Sequence, residues 1–169
     1  DRACQRLFLA SEKIFYKDKG GFSMKEDVII KKRVLFLCTG NSARSQIAEG
    51  YLRSRAGEAY EVFSAGIAPT GLHFLAVKFM AEEGIDISGH SSKAVEEFKD
   101  KHFDYVITLC DNAKENCPVF PGKYKSLHWS IKDPAIKGTA KEKHDAFHEA
   151  VYHLRQKIEE FVKTERLAE

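Results

Sequence analysis

The run Val34-Leu35-Phe36-Leu37-Cys38-Thr39-Gly40-Asn41-Ser42-Ala43-Arg44-Ser45 narrows the folds open to this chain more than any other stretch. An apolar, β-favouring segment ends on a cysteine, a short Gly/Asn/Ser loop follows, and Arg44 opens a run in which Ile47, Ala48, Tyr51 and Leu52 share a helical face. This is a strand, a tight loop and a helix start. A loop at such a junction turns backbone N–H groups inward, the first unpaired N–H groups of the helix join them, and Arg44 adds a forked cation. The segment Thr39, Gly40, Asn41, Ser42, Ala43, Arg44 and Ser45 therefore suits a tetrahedral oxyanion. Cys38 lies at its base, where helix N-terminus and cation favour thiolate over thiol. A Cys-x5-Arg spacing alone arises by chance, and a cysteine ending a buried strand often serves only as a small apolar residue. The glycine, the hydroxyls and the strand-to-helix setting favour a nucleophile.

The rest of the chain repeats the same grammar. Arg33 to Cys38 reads as the first strand, and Gly57 closes the first helix. Tyr60 to Ala65 is a second strand, and Leu72, Leu75, Ala76, Phe79 and Met80 form a helical stripe ending at Gly84. Ser91 or Ser92 is placed to cap a short helix burying Ala94, Val95 and Phe98. Phe103 to Leu109 is a third strand with Cys110 at its carboxyl end, and Ser126 to Trp129 a fourth. The last helix, about Lys141 to Lys163, aligns Phe147, Ala150, Val151, Leu154, Ile158, Phe161 and Val162. Strands alternating with helices predict one α/β domain, a doubly wound four-stranded parallel sheet flanked by helices. Ligands of open α/β sheets bind at the carboxyl ends of strands, where both Cys38 and Cys110 fall.

Composition bounds the partners. With 27 Lys+Arg against 25 Asp+Glu in 169 residues, charge gives no reason to expect nucleic acid or a membrane surface. No apolar run approaches the roughly 18 residues of a membrane span, so the chain is expected to be cytoplasmic, and as a monomer. In a reducing compartment, the four cysteines (Cys4, Cys38, Cys110, Cys117) suit catalytic or redox use better than structural disulfides. Residues 1–23 show no clean periodicity, and the first methionine is Met24. The division expected is an appended or upstream-read, disordered extension over 1–23, Cys4 included, and a folded domain over 24–169.

Several separated blocks share a resemblance. Cys38-Thr39-Gly40-Asn41-Ser42-Ala43-Arg44-Ser45-Gln46, Phe63-Ser64-Ala65-Gly66-Ile67, Gly84-Ile85-Asp86-Ile87-Ser88, Val106-Ile107-Thr108-Leu109-Cys110 with Cys117-Pro118, and His128-Trp129 with Asp133-Pro134-Ala135 together resemble the thioredoxin-coupled arsenate reductases, which share the low-molecular-weight phosphatase-like fold. The resemblance implies arsenate as substrate, phosphate or sulfate as competing oxyanions, thioredoxin as electron donor and no bound cofactor. It implies that Cys38 attacks arsenic held by the loop amides and Arg44, that Ser45 hydrogen-bonds the thiolate, and that Asp133 protonates the leaving oxygen. Cys110 would then attack Cys38, and Cys117 would attack Cys110, leaving a disulfide for thioredoxin. Two departures stand out. Ala43 replaces a cysteine present in many relatives. A cation site built in relatives from positions matching Asn41, Glu49, Ser64 and an aspartate has Lys93 in place of the aspartate, so an ammonium paired with Glu49 is expected instead of potassium, and no metal.

Rival readings use the same residues. A phosphatase of the related fold needs Cys38, Arg44 and Asp133 but neither Cys110 nor Cys117, and a non-enzymatic thiol sensor needs neither Arg44 nor Asp133. Asp104 and Asp111 compete with Asp133 as acid, though neither precedes a proline. His144 and His148, four apart on the last helix, have the spacing of a metal pair but no third ligand in view, which favours a solvated flank. His90 and His128 read as structural partners in loops, and Trp129 and Phe120 as packing.

Overall fold

The computed structural model describes residues 9–10, 13–18, 21–26 and 30–167. Strands β1 (Leu9–Ala10), β2 (Lys13–Asp18) and β3 (Gly21–Glu26) form an antiparallel sheet in that order. They belong to a compact unit that ends at Ile30, and a second unit runs from Lys31 to Glu169. The sequence places a boundary after residue 23 and expects disorder before it. The structure puts the boundary later and assigns strands on both sides of residue 20. Short runs such as Lys13-Ile14-Phe15-Tyr16 are β-favouring but too brief to register as periodicity. Cys4 lies outside the described residues.

The second unit contains β4 (Lys32–Cys38), α1 (Arg44–Ala56), β5 (Tyr60–Gly66), α2 (Phe74–Glu82), β6 (Tyr105–Thr108), α3 (Asp111–Glu115), β7 (Lys125–His128) and α4 (Ala140–Leu167). Its four strands are parallel, in the order β5-β4-β6-β7. β4 is central, which is why its sequence is continuously apolar rather than alternating. Val34, Phe36 and Cys38 point into one layer with Ile47, Leu52, Met80 and Leu154. Leu35 and Leu37 point into the other, with Val95, Phe98, Phe103 and Phe120. The first layer thus takes α1, α2 and α4.

The inward stripe of α4 is Phe147, Ala150, Val151, Leu154, Ile158, Phe161 and Val162, the same set its spacing predicts. Leu154 and Ile158 are fully buried, and each such side chain contributes about 1.5–3 kcal/mol of transfer free energy. Trp129 packs between Phe36 and Phe161, with ring centroids 5.8 and 6.1 Å away. No described helix is long and apolar enough to cross a membrane.

The expected helix after Ser91 is a single 3-10 turn, Val95–Phe98, preceded by Ala94 rather than by a serine. The Glu97 carboxylate reaches back to accept from Ala94 N at 2.8 Å, tying the turn to the residue that precedes it. Ser92 instead donates its hydroxyl to Asn41 O at 2.6 Å, and Ala94 is half-buried beside the end of β5. The third and fourth strands are shorter or shifted by a residue, as strand ends usually are.

Candidate active site

β4 ends on Cys38 and α1 starts on Arg44, so residues 39–43 must turn the chain within one short loop. Its carbonyls are all engaged on the side away from the pocket. Cys38 O accepts from Ile67 N, Thr39 O from Ala68 N, Gly40 O from Thr70 N, Ser42 O from His73 N, and Ala43 O from Ile47 N. Asn41 O accepts from the Gln46 amide and the Ser92 hydroxyl. In a trans peptide the carbonyl of one residue and the N–H of the next point in opposite directions, and no cis bond occurs among the described residues. The N–H groups of residues 39–44 therefore converge on the concave side. There Thr39, Gly40, Ser42, Ala43 and Arg44 line a cavity of about 200 Å³ with Cys38, Thr70, Asp133 and Ala135.

The first turn of α1 strengthens this cradle, since it has neither a side-chain cap nor an acidic residue and its leading N–H groups and dipole remain directed at the loop. This also explains why α1 lacks a clean apolar stripe: Arg44, Ser45, Gln46 and Glu49 are all buried, each in a polar role.

Asn41 is the hub of the loop. It has φ of 43°, a left-handed conformation that asparagine adopts more readily than most residues. Its amide nitrogen donates to Ser45 Oγ and Ser64 Oγ, both at 2.8 Å, while its side-chain oxygen accepts from Gln46 Nε2 and Lys93 N. Because Asn41 occupies a lone pair of Ser45 Oγ, the serine hydrogen is free to point at Cys38 Sγ, 3.0 Å away. Gly66 closes the loop from behind: a Cβ there would lie 2.7 Å from Asn41 N and 2.8 Å from Thr39 O, so only glycine fits this close approach.

Arg44 is buried, with one guanidinium nitrogen on Ile131 O at 3.2 Å and the other on Asp133 Oδ2 at 2.9 Å. Asp133 is exposed at the mouth and accepts Ala135 N on its second oxygen. Asp104 accepts from Arg33 N at the far end of the sheet, and Asp111 is turned toward His128. Of the three aspartates considered as acid, Asp133 lines the cavity.

Cys110 follows β6 and reaches the lip of the loop, with Sγ 3.4 Å from Thr39 Oγ1. Cys117 lies beyond α3, half-buried against the second apolar layer, and burial pushes its thiol up. Cys38, Cys110 and Cys117 are all free thiols. The structure thus brings Cys38, Arg44 and Asp133 to one cavity, sets Cys110 beside its Thr39 edge and leaves Cys117 one short helix away.

At the positions of the anticipated cation site, Glu49 takes Arg53 at 2.5 Å, the Ser64 hydroxyl at 2.5 Å and Lys93 Nζ at 3.6 Å. The ammonium stands where the sequence puts it, near Glu49, with a further bond to Ser91 O. No group of three or more ligating side chains that could hold a metal occurs among the described residues. His144 rests on the Phe79 ring, 4.9 Å between centroids. His90 and His128 are both wired into loops: His90 to Gln46 and Arg53, His128 to Thr108 and Asp111. Sequence reasoning did not reach Gln46, Ser92 or the Ile131 carbonyl as supports of the loop. The Ser92 and Ile131 contacts span 51 and 87 residues of chain and follow no period, and the Gln46 bonds to Asn41, five residues away, come from a side chain buried at the start of α1.

A strand, an N–H cradle, an arginine and a cysteine at the floor define a phosphatase-type oxyanion site, and the chain belongs to the family described as low molecular weight phosphotyrosine protein phosphatase, which matches residues 33–169. Within that family it is a homologue of arsenate reductases. An arsenate reductase of Oceanobacillus iheyensis is 42% identical over 135 residues, covering 79% of this chain and 97% of the relative. A solved structure, an arsenate reductase in the phosphate binding state, superposes with a TM-score of 0.64 at 30% identity, covering 79% of this chain and 98% of that one. The thioredoxin-dependent arsenate reductase of Corynebacterium glutamicum superposes with a TM-score of 0.63 at 31% identity, covering 82% of this chain and 64% of that one.

Proposed function

We propose that this chain reduces arsenate to arsenite by a three-cysteine relay that thioredoxin resets. The observation that carries the proposal is the second sulfur at the lip of the oxyanion cradle: Cys110 stands beside Thr39, where a hydrolase has no use for it. In the reading we favour, arsenate occupies the N–H cradle with Arg44 across its oxygens. The Cys38 thiolate attacks arsenic, an oxygen leaves as water on protonation by Asp133, and a Cys38–arsenic bond remains. The Cys110 thiolate then attacks Cys38 Sγ. The sulfur–arsenic bond breaks, its electron pair stays on arsenic, and arsenite departs with a Cys38–Cys110 disulfide left behind. Attack of Cys117 on Cys110 frees the Cys38 thiolate and moves the disulfide outward, and the dithiol of thioredoxin takes it up. Two electrons pass from the thiols to arsenic in each turn. No bound cofactor is required, and a cycle that runs through reduced thiols suits the cytoplasm.

The burial that raises the Cys117 thiol supports the order of steps. A sulfur with little thiolate attacks slowly until local opening exposes it, so Cys117 acts last.

The phosphatase reading retains support from Cys38, Arg44 and Asp133 alone. One experiment separates the two. Thiols are counted before and after one equivalent of arsenate without thioredoxin, and the oxidised residues are mapped by mass spectrometry. Loss of two thiols, at Cys110 and Cys117, is expected, and Cys110→Ser should abolish arsenite release while aryl phosphate hydrolysis survives. Full thiol retention after arsenate, with phosphate ester hydrolysis intact, would leave only the hydrolase.

A further inference from the structure

We propose that Asn112, held by Asn116, is a positioning residue that aims the Thr39 hydroxyl at Cys110. The orientation follows from hydrogen-bond capacity alone. Asn116 Nδ2 lies 2.9 Å from Asn112 O, and a backbone carbonyl only accepts, so the Asn116 atom facing it must be the amide nitrogen. That nitrogen also lies 3.0 Å from Asn112 Oδ1, which fixes the second amide in turn. Asn112 is left with Nδ2 toward Thr39 Oγ1, at 3.1 Å.

The threonine oxygen therefore accepts from Asn112, and its single hydrogen is available for Cys110 Sγ at 3.4 Å. A thiolate has no proton to give, so in the reactive state the hydroxyl must be the donor. The geometry repeats that at the first sulfur, where Asn41 occupies Ser45 Oγ and the serine faces Cys38. The first two attacking sulfurs are each served by a hydroxyl, and each of those hydroxyls is oriented by an asparagine. Asn112 and Asn116 are exposed and lie on or next to α3, so this wiring joins the oxyanion loop to the segment between Cys110 and Cys117. Its meaning for turnover rests on the relay proposed above: Cys110 is the second attacking sulfur.

The test uses the reduced full chain and needs no arsenate. Alkylation of each cysteine by iodoacetamide is followed against pH by mass spectrometry. In Asn112→Ala the Cys110 profile should move to higher pH, with alkylation at neutral pH slowed by about three- to tenfold, the size of half to one unit of differential stabilisation of the thiolate. The Cys38 profile should stay in place. Asn116→Ala should move Cys110 in the same direction by less. On a Thr39→Val background, Asn112→Ala should add nothing, because the hydroxyl through which it acts is gone. An unchanged Cys110 profile in Asn112→Ala would overturn the proposal, as would an effect undiminished by Thr39→Val. Arsenite release by Cys110→Ser reports on the relay alone, so the two readings fail separately.

Discussion

His90 illustrates how much a single side chain can report on the loop. Arg53 Nη1 lies 3.1 Å from His90 Nε2, and a guanidinium only donates, so Nε2 is the unprotonated nitrogen and Nδ1–H donates to Gln46 Oε1 at 2.9 Å. Gln46 in turn donates to both oxygens of Asn41. The neutral imidazole thus holds the glutamine that holds the loop. Burial pushes the His90 imidazole below its ordinary range, with Arg53 and Lys93 adding to the effect and Glu49 opposing it. Its folded value is therefore depressed, and below about pH 6.5 the unfolded chain binds this proton first, so stability falls as pH drops toward and through the folded value. The thermal midpoint should fall between about pH 7.5 and about pH 5.5, and the fall should be smaller in His90→Ala, even though that variant starts from a lower midpoint. Differential scanning calorimetry at the two pH values measures both, and an equal fall in the two proteins would assign the pH dependence elsewhere.

Secondary-structure elements divide cleanly into those visible in the sequence and those that are not. The buried stripe of α4 is legible in the sequence because a long amphipathic helix repeats its signal over many turns, although the helix runs to Leu167 rather than Lys163, and β4 is legible because a central parallel strand is apolar on both faces. The oxyanion loop was legible because glycine, asparagine and hydroxyls cluster between strand and helix. Ser92 was not, because its partner Asn41 is 51 residues away and a serine near a helix start reads locally as a cap. Nor was the Asn112–Thr39 bond, which joins residues 73 apart. α3 spans Asp111–Glu115 between Cys110 and Cys117, and at about 1.5 Å per residue its five residues alone advance the chain by about 7 Å. A disulfide needs about 4.4 to 6.8 Å between its Cα atoms. Formation of a Cys110–Cys117 bond should therefore unwind α3. The amides of residues 111–116 should exchange with solvent faster in the oxidised protein than in the reduced one, since few apolar contacts hold the segment apart from Ala113. Equal protection in both states would mean that the helix accommodates the bond intact.

At the scale of the whole molecule, both apolar layers are built from residues between Val34 and Val162. Every group placed at the oxyanion site likewise falls after Ile30. The hydrogen bonds that shape the loop end on β5, on α1, on Asn112 in α3 and on the segments 67–73, 91–93 and 131–133, all within the unit that starts at Lys31. Among the described residues, the core and the site of the unit that starts at Lys31 are built from that unit's own side chains, as in a domain able to fold alone. A chain beginning at Lys31 should therefore unfold cooperatively, with a thermal midpoint within about 4 °C of the full chain, the shift that roughly 1 kcal/mol produces in a domain of this size. It should also hydrolyse an aryl phosphate, and reduce arsenate, at the full-length rate. Calorimetry and the two rate assays on the shortened and complete chains decide the matter. A large loss of midpoint with rates preserved would give the residues before Lys31 a stabilising role, whereas loss of the rates alone would give them a part in the site.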